Sequence, residues 1–285
     1  MTDPWTLVEN VRVPRFIYGT AWKESQTAHL TELALRAGFR GIDSANQRKH
    51  YDEAAVGRGI DSSVKHGILA RDDLFLQTKF TFRSGQDYRL PYDANAPIET
   101  QVEESLASSC QHFGTKVVDA YLLHGPSTRG RLAADDWAAW RAMEAIHDRG
   151  TARLIGVCNV SLEQLEQFCQ GARVQPRIVQ NRCYAVHGWD QRIRKFCSSR
   201  GIAYQGFSLL TANHEYLTHS ELVRIAKQRR RTVSQIVFRF AFEVGIIALT
   251  GTTNAEHMRQ DLAALEHQLL PDEVTRIENL AVARV

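Results

Sequence analysis

No apolar stretch in this 285-residue chain approaches the roughly 18 residues that a membrane-spanning helix requires, which argues against an integral membrane protein. The opening Met-Thr-Asp-Pro-Trp lacks the basic and apolar segments of a secretory signal, so a cytoplasmic location is expected. Cysteine is sparse. Cys110, Cys158, Cys169, Cys183 and Cys197 are odd in number, dispersed and never arranged as Cys-x-x-Cys, which favours reduced thiols over disulfides. No His or Cys spacing resembles a ligand set, and no metal is expected. A charge surplus is missing too: a net charge of +3 gives no argument for nucleic acid. The basic run from Lys227 to Arg231 follows a helical pattern over 221–226, where last-turn cations complement the helix dipole. Also absent is the glycine fingerprint of an open nucleotide-binding sheet, since Gly57-Arg58-Gly59 is followed by Ser62 where the third glycine belongs. With no linker rich in Pro, Gly or Ser, the chain is expected to form one domain over residues 1–285.

What the chain does have is regular alternation. Strand patterns occupy 14–19, 38–42, 73–78, 117–123, 153–158, 177–181, 202–208 and 246–250, and helical patterns separate them. Among the latter, 99–113 ends at Gly114 and 136–149 at Gly150, both C′ positions, while Ser161 and Gln164 have capping-box spacing. Two helical runs, 220–230 and 232–244, fall between strands seven and eight, one more than the repeat needs. Alternating strands and helices imply crossover connections and a parallel sheet, and the length suits a (β/α)₈ TIM barrel of about 250 residues. The fold class is therefore α/β.

Three strands run into a polar residue: Asp43, Lys79 and His124 are each expected to close one. Strand ends of a parallel barrel converge on one face, so these side chains and Tyr51 are expected to share a pocket. There Asp43 would pair with Lys79, the ammonium would lower the pKa of Tyr51 towards neutrality, and His124 would orient a carbonyl oxygen beside the phenol. Such a set suits protonation of a developing alkoxide.

The ordered segments Gly-Phe-Arg-Gly-Ile-Asp-Ser-Ala (38–45), Gln-Thr-Lys (77–79), Leu-Leu-His-Gly-Pro (122–126), Ile-Gly-Val-Cys-Asn (155–159), Val-Gln-Asn (179–181) and Leu-Thr-Gly-Thr-Thr (249–253) together resemble the aldo-keto reductase family over nearly the whole chain. The resemblance implies NADPH-dependent reduction of an aldehyde or ketone, with Asp43, Tyr51, Lys79 and His124 as catalytic tetrad. It places Asn159 and Gln180 on the nicotinamide carboxamide, Phe207 on the nicotinamide ring, and Gly19, Thr20 and Trp22 at the pocket floor and mouth. Ser208 and Leu209 join the cofactor set. Thr250, Gly251, Thr252 and Thr253 would open the last barrel helix around the adenosine phosphate, with His257, Arg259, Gln260 and Asp261 following.

The chain departs from the family pattern in several places. Asp43 and Tyr51 are eight residues apart instead of five, and counting back from Val56-Gly57 puts His50 at the tyrosine position; Tyr51 is preferred because a phenol can serve as the acid. Cys158 replaces a serine. Gly251 and His257 replace the lysine and arginine that many members direct at the 2′-phosphate, so NADP(H) is expected over NAD(H) by a reduced margin. The chain ends soon after a helix at 271–281, without the family's long covering loop, which suggests an open site. Arg48 and His50, in the longer loop, are candidate substrate contacts for carbonyl compounds bearing an anionic group. Two other readings are a nicotinamide-binding regulatory subunit with little turnover, and a barrel lyase or isomerase.

Overall fold

The structure, a computed structural model, describes residues 3–281; Met1, Thr2 and residues 282–285 lie outside the described residues. Eight parallel strands close into a barrel: β3 (Phe16–Gly19), β4 (Gly41–Asp43), β5 (Phe75–Phe80), β6 (Val118–Leu123), β7 (Ala152–Cys158), β8 (Ile178–Arg182), β9 (Ala203–Phe207) and β10 (Ile246–Thr250), with β10 pairing back to β3. Every expected strand is present. The largest displacement is at the second, expected over 38–42 and found at Gly41–Asp43. Lys79 therefore lies inside β5 instead of closing it, while Asp43 is the last residue of its strand and His124 follows β6.

The helices covering the barrel include α1 (Thr27–Ala37), α2 (Glu53–Lys65), α3 (Ile98–Phe113), α4 (Ala134–Asp148), α5 (Leu162–Gly171) and α6 (Gln191–Ser199). They continue with α7 (Ser220–Arg229), α8 (Val233–Glu243), α9 (Ala255–Leu262) and α10 (Pro271–Glu278). The supernumerary helix is confirmed in α7 and α8 between β9 and β10. Local signals act as their chemistry requires: α3 ends at Gly114 with φ 63°, and Ser161 and Gln164 exchange both capping-box hydrogen bonds. The basic run ends α7, where Arg229 pairs with Glu273 at 2.6 Å.

An antiparallel hairpin, β1 (Trp5–Val8) and β2 (Val11–Pro14), precedes the barrel and was not anticipated. Val8 and Val13 pack with Ile17, Phe75, Leu154, Ile178 and Ile247 in the apolar cluster of the barrel interior. The contact is close enough to dictate sequence, since a Cβ on Gly41 would lie 2.5 Å from Pro14 Cγ. A larger apolar cluster, with Trp140, Phe168 and Phe240 wholly buried, lies between strands and helices. No helix among the described residues is long and apolar enough to cross a membrane.

Candidate active site

Strand ends bring Asp43 and Lys79 together, and Tyr51 comes from the loop between β4 and α2. Lys79 is 1% exposed, and its ammonium donates to Asp43 Oδ1 at 2.7 Å, Asp43 Oδ2 at 2.6 Å and the Ser44 carbonyl at 2.7 Å. All three donors are thereby used. Burial alone would favour loss of the proton, but the Asp43 carboxylate outweighs it and raises the lysine pKa, so the group stays charged.

The Tyr51 ring centre lies 5.5 Å from Lys79 Nζ and 6.0 Å from the His124 ring, edge to face. His50 diverges from its neighbour and stacks on Trp22 with ring centres 3.6 Å apart. The expected lowering of the tyrosine pKa does not occur: burial pushes Tyr51 up to about 12, overcoming the downward pull of Lys79. Desolvation of a phenolate is a larger effect here than one ammonium acting through the ring. Burial, together with the charges of Lys79 and His50, pushes His124 down to about 3, so the imidazole is neutral. Its Nδ1 is 2.6 Å from Thr81 Oγ1, and the tautomer that accepts from this hydroxyl carries its proton on Nε2.

From this end a cavity of about 630 Å³ runs past β8 and β9 to α9. Gly19, Trp22, Asp43, Tyr51 and His124 line its start, followed by Asn159, Gln180, Phe207, Ser208 and Leu209. Thr250 and Gly251 lie beside Gly19, and Thr252 with His257, Gln260 and Asp261 carries the lining to α9 at the far end. Trp22, Asn159 and Ser208 have φ of 60°, 52° and 57°, strained conformations for non-glycine residues, grouped along one cavity. For Trp22 the His50 stack and a 2.8 Å bond from its N–H to the His50 carbonyl hold the conformation in place. The cavity fits an extended dinucleotide: a carboxamide acceptor at Gln180, an aromatic face at Phe207 and a helix start at α9 occur in that order.

Other expected residues are placed differently. Thr20 is buried and donates to the Asp43 carbonyl at 2.9 Å, outside the cavity lining. Thr253 and Arg259 are exposed and also absent from the lining; Arg259 pairs with Glu256 at 2.6 Å along the helix surface. The amides of α9 are less free than expected, because Asn254 Oδ1 accepts from the N–H of both Glu256 and His257. Asp261 is buried under a bond from Thr250 Oγ1, and burial pushes its pKa up to about 6. Arg48 and His50 line a second cavity of about 490 Å³ that shares Trp22 and Tyr51 with the first. Its charges are mixed, for Glu24, Asp52 and Glu53 face it with Arg48, Lys49 and Arg89, and Arg89 is tied to Asp87 at 2.5 Å.

Several participants escaped the sequence reading. Lys23 lines the long cavity and donates to the Gly251 carbonyl, joining the loop after β3 to the loop after β10; burial lowers its pKa. Gln77 and Gln205 are wholly buried beneath the site. A signal for both existed, because each stands two residues before a candidate residue, Lys79 or Phe207, and period two puts such pairs on one face of a strand.

A closed (β/α)₈ barrel with a buried Lys-Asp pair beside a tyrosine and a neutral histidine, at the head of a dinucleotide-sized trough, defines an oxidoreductase site. The model of the aldo/keto reductase family matches residues 17–282, and the chain belongs to that family. It is 29% identical to the uncharacterized oxidoreductase YtbE of Bacillus subtilis, over 96% of this chain and 91% of that protein. Against human aldo-keto reductase family 1 member C1 the identity is 28%, over 90% and 83%. Among solved structures, an aldo/keto reductase from Brucella melitensis superposes with a TM-score of 0.81 at 25% identity, covering 98% of this chain and 99% of that one. The Bombyx mori aldo-keto reductase in complex with NADP gives 0.82 at 23% identity, over 98% and 93%.

Proposed function

We propose that this barrel domain reduces an aldehyde or ketone to the alcohol, reversibly, with Tyr51 as proton donor and NADPH as hydride source. The observation that carries the reading is the fixed charge of Lys79, doubly bonded to Asp43 and facing the Tyr51 ring at the head of the cavity. Bound NADPH supplies the hydride to the carbonyl carbon. Tyr51, held protonated with a pKa near 12, keeps its proton until negative charge develops on the carbonyl oxygen, a far stronger base than a phenolate. Lys79 then stabilises the phenolate that remains, and the neutral His124 donates from Nε2 to the same oxygen without competing as an acid. Asp43 fixes the ammonium in place through both of its oxygens.

For the cofactor, Gln180 and Asn159 would bond the carboxamide and Phe207 would cover the ring. NADP(H) over NAD(H) is supported by the family and by a Bombyx relative solved with NADP. Thr252, His257 and Lys23 at the far end supply hydroxyl, imidazole and ammonium donors, while Arg259 is engaged with Glu256. Free thiols at all five cysteines accord with a cytoplasmic location. The test is NADPH oxidation against a panel of aldehydes and ketones, with Tyr51→Phe in parallel. Turnover in the wild type and its loss in the variant is the expected result; no turnover on any carbonyl, with NADPH still bound, would favour a regulatory subunit.

A further inference from the structure

Beneath the proposed site, where a barrel interior is usually filled by branched apolar side chains, three glutamines form a closed hydrogen-bonded group. Gln77 Nε2 donates to Asp43 Oδ1 at 2.6 Å and to Gln205 Oε1 at 2.9 Å. Gln180 Nε2 donates to the same two atoms, at 3.0 and 2.8 Å. Gln205 Nε2 returns a bond to Gln77 Oε1 at 2.9 Å. Gln77 and Gln205 are 0% exposed and Gln180 is 3% exposed. Gln77 lies in register with Asp43, and Gln205 with Gln180, so the group ties one side of the barrel to the other.

Chemistry allows only one orientation for these amides. An ionised carboxylate accepts and cannot donate, so Gln77 and Gln180 must both turn their nitrogens towards Asp43. Their remaining hydrogens then converge on Gln205, whose oxygen must face them. With both donors of Gln180 so committed, its Oε1 is left as an acceptor on a residue that lines the cofactor cavity, where it accepts a weak bond from Cys158 Sγ at 3.8 Å. Asp43 Oδ1 in turn receives three donors, from Lys79, Gln77 and Gln180. Buried amides of this kind are costly unless every group is satisfied, and an apolar replacement of the whole group is commonly neutral or stabilising.

We propose that Gln77 and Gln205 are positioning residues that join the proton-donating half of the site to its nicotinamide-binding half, Gln77 by sharing the Asp43 charge and Gln205 by fixing the acceptor face of Gln180. The inference rests on the assignment of Asp43, Lys79 and Tyr51 to catalysis. With one donor fewer, the Asp43 charge acts more strongly on its neighbours, which raises the Tyr51 pKa and displaces the alkaline limb of the rate profile to higher pH. With Gln205 removed, the Gln180 amide loses the partner that fixes Oε1 towards the cofactor, and nicotinamide binding weakens.

Near-isosteric Gln77→Met and Gln205→Met, their double variant, and the reserve variants Gln77→Glu and Gln205→Leu provide the test. NADPH dissociation constants are read by protein fluorescence, and kcat is followed against pH with 4-nitrobenzaldehyde. Gln77→Met is expected to lose about tenfold in kcat, the worth of a bond to a charged group, with the alkaline limb displaced and NADPH affinity retained. Gln205→Met is expected to weaken NADPH binding about tenfold. In kcat/KM for NADPH, the double variant is expected to lose less than the product of the two single losses. Wild-type kcat, pH profile and NADPH affinity in both Met variants would overturn the inference. If either Met variant fails to fold, its reserve variant takes over the test, and wild-type values there overturn the inference equally. Tyr51→Phe, run alongside, separates the two failures: an inactive Tyr51→Phe with unperturbed glutamine variants leaves the catalytic assignment standing, whereas an active one removes the assignment itself.

Discussion

At the reaction end of the long cavity, Asp43, Lys79 and Gln180 are almost wholly buried, and each hydrogen bond has a partner fixed by the barrel. Outside the lining of the far end, on α9 and the turn before it, Thr253, Asn254, Glu256 and Arg259 are exposed, and the charges of Glu256 and Arg259 cancel each other on the helix surface. The first arrangement is rigid and dry, so its charges act strongly on one another. The second is wet and screened, and single side chains there carry little energy. Substitutions should therefore differ by orders of magnitude between the two ends.

The widest separation is expected at Tyr51. Tyr51→Phe should reduce kcat by about 10²–10⁴-fold, the range for a lost general acid, with NADPH affinity nearly unchanged. His50→Phe, altering a ring stacked on Trp22, should be much milder. A reversed order in steady-state kinetics would move the acid to His50.

Lys79→Met should abolish turnover and also destabilise the fold by about 3–5 kcal/mol, because it leaves Asp43 charged, buried and unpaired. Urea denaturation measures this. Adding Asp43→Leu should recover stability and leave activity absent, which distinguishes the charge pair's structural share from its chemical one.

The pH response sharpens the contrast further. Because Tyr51 is held near 12, reductase activity should persist past pH 10, the ordinary tyrosine range, and fall as pH approaches 12. Tyr92 is likewise raised to about 12, and Tyr121 and Tyr204 are raised by burial, so the unfolded chain releases protons first and stability is lost between about pH 10 and 12. Circular dichroism along the kinetic series separates the two losses. His124 acts at the opposite extreme. Its folded pKa is depressed to about 3, so the stability it confers is complete above about 6.5 and lost as pH falls from there towards 3.

The smallest effects belong to α9. Arg259→Ala should change the ratio of NADPH to NADH dissociation constants by no more than about threefold, since the guanidinium is engaged on an exposed surface. Glu256→Gln frees that guanidinium and should strengthen NADPH binding slightly, more at low salt than at high. A tenfold effect of either would mean that this end is as organised as the other.

The barrel was legible because hydrophobic runs and caps are local signals, and the Asp43–Lys79 pairing because convergence of strand ends is a property of the fold. Burial was not legible. It reversed the expected pKa shift of Tyr51, since no sequence feature states how dry a loop tyrosine becomes in the closed barrel. Arg259 looked available for a phosphate until Glu256, three residues earlier, was seen to engage it. Gln77 and Gln205 read as ordinary strand residues because their partners, across the barrel, are 128 residues apart in the chain. The hairpin was missed for its brevity: four-residue strands around Glu9-Asn10 carry little periodicity.

That hairpin has a kinetic meaning. With Val8 and Val13 packed into the apolar cluster of the barrel interior and Pro14 against Gly41, the hairpin covers the starting ends of the strands, opposite the rim that carries the cavity. The carbonyl compound and the cofactor of the proposed reaction therefore share the rim where the strands end. Under the proposed reading, a fall of kcat with solvent viscosity is the expected sign that release at this shared rim sets turnover.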